Sequence, residues 1–251
     1  MKYFIITGTS RGLGKALGKA LMDENHRVFC ISRKMDRELM DFAETQRGSL
    51  EFFEFDLSDH ERIRSLMDEI FQRVDLEAAE GIYLVNNAGV LAPVKRLEDC
   101  EDGEILQNLH VNLAAPLILT SAFIKKTQGF TGDKKVINIS SGAGSKPHYG
   151  WANYCASKAG VNLFTRSVGL EQESKEAPVK ILSLAPAIMD TKMQEEIRSS
   201  NKEDFQELEK FKNYKKEGQL LPTKKVAEKV KELLLTGDFE QGEVLDVRDL
   251  L

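Results

Sequence analysis

Tyr154 and Lys158 stand four residues apart in the stretch SGAGSKPHYGWANYCASK, Ser141 to Lys158. On a helix that spacing puts both side chains on one face, about 6 Å apart along the axis. A phenol ordinarily titrates near pH ~10. A neighbouring ammonium favours the phenolate and lowers that value, which suits a group that must give and take a proton near neutrality. Ser141, at the end of the apolar run VINIS, adds a hydroxyl that can hydrogen-bond a substrate carbonyl. The three side chains suit carbonyl reduction or alcohol oxidation, and that chemistry needs a hydride carrier.

Composition says what kind of body could hold one. With 251 residues and 41% hydrophobic content the chain can bury one large core. No Pro/Gly/Ser-rich linker, low-complexity tract or repeat divides it, and strand-like runs alternate with helical ones, so a single α/β domain over 1–251 is expected. A net charge of −5 offers no basic footprint for nucleic acid or an anionic membrane. The opening MKYFIITG is too short an apolar run for a signal peptide or a membrane span. Cys30, Cys100 and Cys155 are an odd set without metal-ligand spacing, which points away from disulfides and zinc and towards a reducing cytoplasm.

The first strand, Tyr3 to Thr7, runs into TGTSRGLG and then a helical sequence. The turn holds Gly8, Ser10, Arg11, Gly12, Leu13 and Gly14; its glycines let the backbone approach a pyrophosphate lying against the amides of the following helix. The spacing GxxxGxG differs from GxGxxG. The second strand, Arg27 to Ile31, ends in Ser32 and Arg33, where an acid would favour NAD and an arginine the extra phosphate of NADP. Arg11 and Arg33 could flank that phosphate. A helical segment, Asp36 to Gln46, precedes the strand LEFFEFD, whose end presents Asp56 and Leu57 to an adenine site, although Asp56 could equally cap the next turn. The strand IYLV ends in Asn86, Asn87, Ala88 and Gly89, small enough for a ribose to come close. Asn112, inside an apolar helix between Asp102 and Lys126, must have its amide satisfied, either by neighbouring backbone or by holding a kink or a water near Lys158.

These motifs, in this order and at these separations, resemble the short-chain dehydrogenase/reductase family over nearly the whole chain. TGTSRGLG is similar to the family's TGxxxGxG turn, NNAG stands unchanged, and Asn112, Ser141, Tyr154 and Lys158 fall at the family's catalytic spacing. The resemblance implies a Rossmann-like, doubly wound fold of about seven parallel strands with helices on both faces and NADP(H) across the strand carboxyl ends. It also implies roles. Tyr154 protonates the carbonyl oxygen, Lys158 lowers the tyrosine's pKa and holds the nicotinamide ribose, Ser141 orients the substrate, and Asn112 anchors a water. Met189 and Thr191, in PAIMDT, inherit contact with the nicotinamide carboxamide. Ala187 replaces the family's usual glycine there; if that position has positive φ, the alanine costs roughly a kcal/mol.

Residues 190–221 are helix-like and heavily charged, which fits a substrate lid that opens and closes or an exposed helical hairpin. Within the family, GWANYCASKA, PAIMDTKMQEEIR and the ending GEVLDVRDLL resemble the branch of sepiapterin reductases and bacterial benzil reductases. That implies reduction of one ketone of a vicinal dicarbonyl, with a pterin side-chain ketone as the alternative and Asp249 as the match to a pterin-anchoring aspartate. Trp151, Tyr149, Met189 and Met193 could supply an adaptable apolar pocket. A non-catalytic dinucleotide sensor would not need the intact catalytic set. The family's habit of pairing through the Asn112 and Tyr154 helices implies a homo-oligomer, a dimer or tetramer.

Overall fold

A computed structural model describes all of residues 1–251. Seven strands form one parallel sheet: β1 (Lys2–Thr7), β2 (His26–Ser32), β3 (Ser49–Glu54), β4 (Gly81–Asn86), β5 (Asp133–Ile139), β6 (Lys180–Ala185) and β7 (Glu243–Asp246), in the order β3-β2-β1-β4-β5-β6-β7. The order reverses between β1 and β4, and a crevice opens there at the strand carboxyl ends. Helices between strands cover both faces, as parallel pairing requires.

Alternation along each strand divides the core in two. Tyr3 and Ile5, Phe29 and Ile31, Ile82 and Leu84 face one side. There they meet Ile63, Met67 and Ile70 of α3 (Ile63–Phe71), Leu119 and Phe123 of α5 (Ala115–Lys126), and Val168 of α6 (Ala152–Glu173). Phe4 and Ile6, Val28 and Cys30, Tyr83 and Val85 face the other side. Their partners come from α1 (Gly12–Ala20), α2 (Arg37–Glu44) and α9 (Thr223–Leu235). Two further short helices, α7 (Lys192–Arg198) and α8 (Leu208–Lys216), lie in the stretch between β6 and α9, and α4 (Asp102–Leu109) leads through a π-helical turn, His110–Ala114, into α5.

The elements match the sequence reading apart from their edges. Asp36 is the N-cap of α2, its carboxylate accepting from the Leu39 amide, and a 3-10 turn, His60–Arg62, separates the end of β3 from α3. The reason lies in Asp56, whose Oδ1 takes both the Ser58 amide (2.9 Å) and hydroxyl (2.8 Å), closing a turn before the helix can start.

A row of buried polar side chains crosses the sheet at β4, β5 and β6. Asn86 donates to Asn138 Oδ1 at 2.8 Å and to Thr120 of α5 at 3.1 Å; Asn138 donates to Thr165 of α6 at 2.9 Å; Ser183 donates to Asn162 of α6 at 2.7 Å. Asn86, Asn138 and Ser183 are register partners on adjacent strands. Buried amides and hydroxyls favour such partners, and the bonds from Asn138 and Ser183 tie α6 to the sheet.

Two buried lysines open β5 and close helix ends elsewhere. Lys135, 6% exposed, donates to the Leu234 carbonyl at 2.8 Å and lies 3.4 Å from those of Leu233 and Gly237, where α9 ends, with the Asp133 carboxylate at 3.3 Å. An ammonium at a helix C-terminus satisfies carbonyls that have no partner within the helix. Lys135→Met keeps the stem and removes the donors. It should lower the free energy of unfolding in denaturant by about 1–3 kcal/mol, and an unchanged midpoint would show that the cap contributes nothing.

Candidate active site

The glycine turn and the NNAG segment are built as one unit. Thr7, last residue of β1, accepts the Asn87 and Ala88 amides on its hydroxyl at 3.0 Å each, and Asn87 Nδ2 donates to the Thr7 carbonyl at 2.8 Å. Gly14 makes this closeness possible, since a Cβ there would lie 2.2 Å from the Gly8 carbonyl oxygen and 2.5 Å from Asn87 Nδ2. Gly12 has φ +57 at the start of α1, and a Cβ on it would meet only the Thr191 side chain, nearest at 3.5 Å. That backbone is bare towards a cavity of about 590 Å³ in the crevice.

The cavity wall gathers most of the residues named from sequence: Gly8, Ser10, Arg11, Gly12 and Leu13; Ser32, Arg33, Asp56 and Leu57; Asn87, Ala88 and Gly89; Tyr154 and Lys158; Met189, Thr191 and Met193. Gly14 is not in the wall and acts through the close packing beneath it. Besides Lys158, four cations line the cavity, Arg11, Arg33, Lys34 and Lys192, against one carboxylate, Asp56. Arg11 is shared with Glu196 of α7 at 3.4 Å; the other three have no ion-pair partner. Unpaired cations converging on one crevice beside exposed helix-start amides form a receptor for a polyanion. The residues therefore fit a dinucleotide.

At the other end, α6 presents Tyr154 and Lys158, 6% and 4% exposed, with the ammonium 5.8 Å from the centre of the phenol ring. Lys158 Nζ donates to the Ile139 carbonyl at 2.8 Å. An ammonium has three donors, so two remain for groups entering the cavity, hydroxyls of a ribose among them. Burial pulls the Lys158 pKa down to about 8. Burial likewise pushes the Tyr154 phenol up, opposed by the Ser141 hydroxyl. Loss of water around the phenol is the largest influence on it in the folded protein. Ser141 lies just outside the cavity wall, next to Ser140 in it, and caps a 3-10 turn, Gly142–Gly144, its hydroxyl accepting from the Ala143 amide at 3.2 Å. Asn112 sits in the π-helical turn and accepts the Val90 N–H on Oδ1 at 2.9 Å while giving Nδ2 to the Val90 carbonyl at 2.7 Å. Its side chain is satisfied by nearby backbone, and its place in the π-helical turn is also that of a kink.

Residues 190–221 fold over the start of α6. Ile197, Phe205, Leu208 and Phe211 join Leu91, Ala143, Trp151 and Tyr154 in a third buried cluster, with Met193 packed against it. The apolar residues of this charged segment are few, and most of the large ones are spent here, while Leu221 packs against the core beneath α9. Trp151 lies outside the cavity wall, behind Tyr154; it is 4% exposed and stacks flat on Phe205 at 4.8 Å. Asp249 is exposed in the last turn, also outside the cavity wall, because Val247 is buried and Leu250 packs against the core cluster that includes α9. Tyr149 is 40% exposed. All three cysteines are free.

Sequence reasoning missed Ile31, Lys34, Phe55, Val90, Val111, Ile139, Ser140, Pro186 and Lys192 in the wall. Lys34 and Lys192 directly follow named residues, a usable signal; the apolar ones read as ordinary core. Ala187, the alanine in the usual glycine position, does take a left-handed conformation, φ 58, the one non-glycine residue of the chain to do so.

Comparison with known proteins agrees with this geometry. Residues 2–202 match the family described as short chain dehydrogenase. A benzil reductase ((S)-benzoin forming) of Bacillus cereus is 45% identical over 247 residues, 98% of this chain and 99% of that one. A sepiapterin reductase of Bos taurus is 30% identical, over 98% of this chain and 94% of that one. Among solved structures, that of the KRED1-Pglu enzyme superposes with a TM-score of 0.84 at 26% identity, covering 97% of this chain and 100% of that one. No helix is long and apolar enough to cross a membrane.

The strain at Ala187 is measurable. A left-handed L-residue costs about 1–2 kcal/mol, and glycine gives back about 0.4–1 kcal/mol through its freer unfolded chain. Ala187→Gly should raise the melting midpoint by about 1–3 °C. A lowered midpoint would show that the methyl group's contacts outweigh the strain.

Proposed function

The chain belongs to the short-chain dehydrogenase family, and from that premise we propose that it is an NADPH-dependent reductase of vicinal dicarbonyls, reducing one ketone to give a hydroxyketone. Family membership makes it an oxidoreductase of carbonyl or hydroxyl groups that uses a nicotinamide dinucleotide. The observation that carries the reading is the buried Tyr154–Lys158 pair at one end of a cavity whose other end holds unpaired cations.

The dinucleotide, when bound, supplies the hydride. Tyr154 gives its phenolic proton to the carbonyl oxygen; burial keeps that proton in place at neutral pH. Lys158, with two donors to spare, holds the ribose and keeps positive charge near the phenolate that remains. Ser141 orients the carbonyl, and Asn112 fixes the loop beside it. Preference for NADPH is supported by Arg33 and Lys34 after β2, both in the cavity wall and unpaired, with no acid beside them. The diketone is supported by the 45% identity to a benzil reductase along the whole chain. A pterin substrate has less support, since Asp249 stands outside the cavity wall. Residues 190–221 serve as the lid. Three free thiols suit a reducing cytoplasm.

Steady-state assays of benzil, a small aliphatic diketone, sepiapterin and acetophenone with NADPH and NADH test the reading. Diketones should be preferred over acetophenone, and one bond to a charged group should favour NADPH roughly ten- to a hundredfold. Arg33→Asp should reverse that preference, and Tyr154→Phe should cost on the order of 10²–10⁴ in turnover with NADPH binding kept. Equal efficiency with acetophenone sinks the dicarbonyl assignment. Turnover by Tyr154→Phe above about a third of the parent removes the general acid.

A homo-oligomer is supported by the outer face of α6. Ala152, Ala156, Ala159, Leu163 and Leu170 form an exposed stripe at helical spacing, the two leucines 66% and 69% exposed. Small residues fill one half of the stripe and leucines the other, so a second copy packed antiparallel lays leucines on alanines. Leu163→Glu should shift the protein to a smaller species in sedimentation, and an unchanged species would place the interface elsewhere.

A further inference from the structure

Asn108 lies in the last turn of α4, four residues before Asn112, and is 0% exposed. Its Nδ2 reaches three consecutive carbonyls, those of Val90 (3.4 Å), Leu91 (3.3 Å) and Ala92 (2.8 Å). Its Oδ1 accepts from Asn112 Nδ2 at 3.0 Å. Asn112 in turn takes both polar groups of Val90. The pair of amides therefore grips Val90–Ala92, a stretch with no strand or helix to satisfy its own backbone.

What they grip matters for the reacting centre. Val90 is in the cavity wall, and Leu91, 2% exposed, packs in the cluster that contains Tyr154. A Cβ on Gly89 would lie 3.3 Å from Asn112 Oδ1 and 3.7 Å from Lys158 Nζ, so the gripped segment, the asparagine and the lysine meet at one point. Asn108 is not in the cavity wall.

We propose that Asn108 is a positioning residue for the reduction: by locking Asn112 and the Val90–Ala92 backbone, it holds Leu91 against Tyr154 and fixes where the phenol stands relative to the substrate carbonyl. The proposal rests on the reductase reading. Without Asn108, the carbonyls of Leu91 and Ala92 lose their side-chain donor and the segment relaxes; a shift of about 1 Å at a reacting centre costs on the order of 100-fold in rate.

Asn108→Leu keeps the volume and removes the hydrogen bonds. At saturating NADPH its kcat per folded molecule should fall on the order of 100-fold, while the NADPH dissociation constant moves less than about threefold. Asn108→Asp gives the conservative arm. Its buried carboxyl, neutral at low pH, can still donate to a carbonyl and accept from Asn112, whereas the carboxylate cannot donate. Its activity should approach the parent's at low pH and fall as pH rises, an alkaline loss the parent lacks at that pH. Hydrogen exchange at the Val90 amide reads the grip without turnover, and protection there should drop in Asn108→Leu. Parental kcat in Asn108→Leu overturns the proposal, and so does a fall in kcat matched by an equal fall in NADPH affinity. If the parent protein reduces no carbonyl, the reductase reading is what fails; the proposal then falls with unchanged Val90 protection and its grip stands with lost protection.

Discussion

Burying an amide or a hydroxyl is costly unless a partner is in place, and that cost shapes how this molecule holds its chemistry. Asn86, Asn138 and Ser183 carry polar atoms into the centre of a parallel sheet and find partners in Thr120, Thr165 and Asn162 on the helices above. Apolar packing alone would let α6 slide or rotate by a fraction of a turn at little cost. The polar row forbids it, because each displaced group would be left unpaired where water cannot reach. Tyr154 and Lys158 lie on the same helix, so their position is set by hydrogen bonds that have no part in the reaction.

The same economy of partners shapes the site's electrostatics. Lys158 gives one hydrogen bond to the Ile139 carbonyl and is otherwise buried, which brings its pKa to about 8. A charge held with so few partners is costly for the folded chain alone. Between about pH 8 and its ordinary value the unfolded chain binds the proton and the folded chain does not, so this group's contribution to stability improves as pH rises through that window. Below it the protein carries the cost of a buried ammonium, which a bound group offering hydroxyls would relieve.

Much of this was legible in the sequence, for a definite reason. Motifs such as the glycine turn, NNAG and the tyrosine–lysine spacing are local, and local spacing survives as geometry once the helix and strand periods are known. β1, β2 and β4 were legible as short apolar runs ending in turn residues. Contacts made across the fold were not legible. Asn108 reads as an ordinary polar residue in a short helix until the loop at Val90–Ala92 is seen to need its donors. Spacing shows that Lys158 is near Tyr154, whereas the burial that pushes the phenol's pKa up is seen only in the fold. Trp151 looked like a pocket residue because it is aromatic and near Tyr154, yet the approach of Phe205, more than fifty residues later, turned it into a support.

That stacking has another side. Trp151 is the chain's single tryptophan, and its indole lies flat on Phe205 and edge-on to Tyr154. The indole is therefore a built-in optical probe at the joint between the catalytic helix and the segment that folds over it. Lifting that segment would strip Phe205 from one face of the ring and admit water to a surface now 4% exposed. Indole emission moves to longer wavelength when the ring is wetted, so the unlabelled protein carries a signal for the seating of residues 190–221, free of overlap from any other tryptophan.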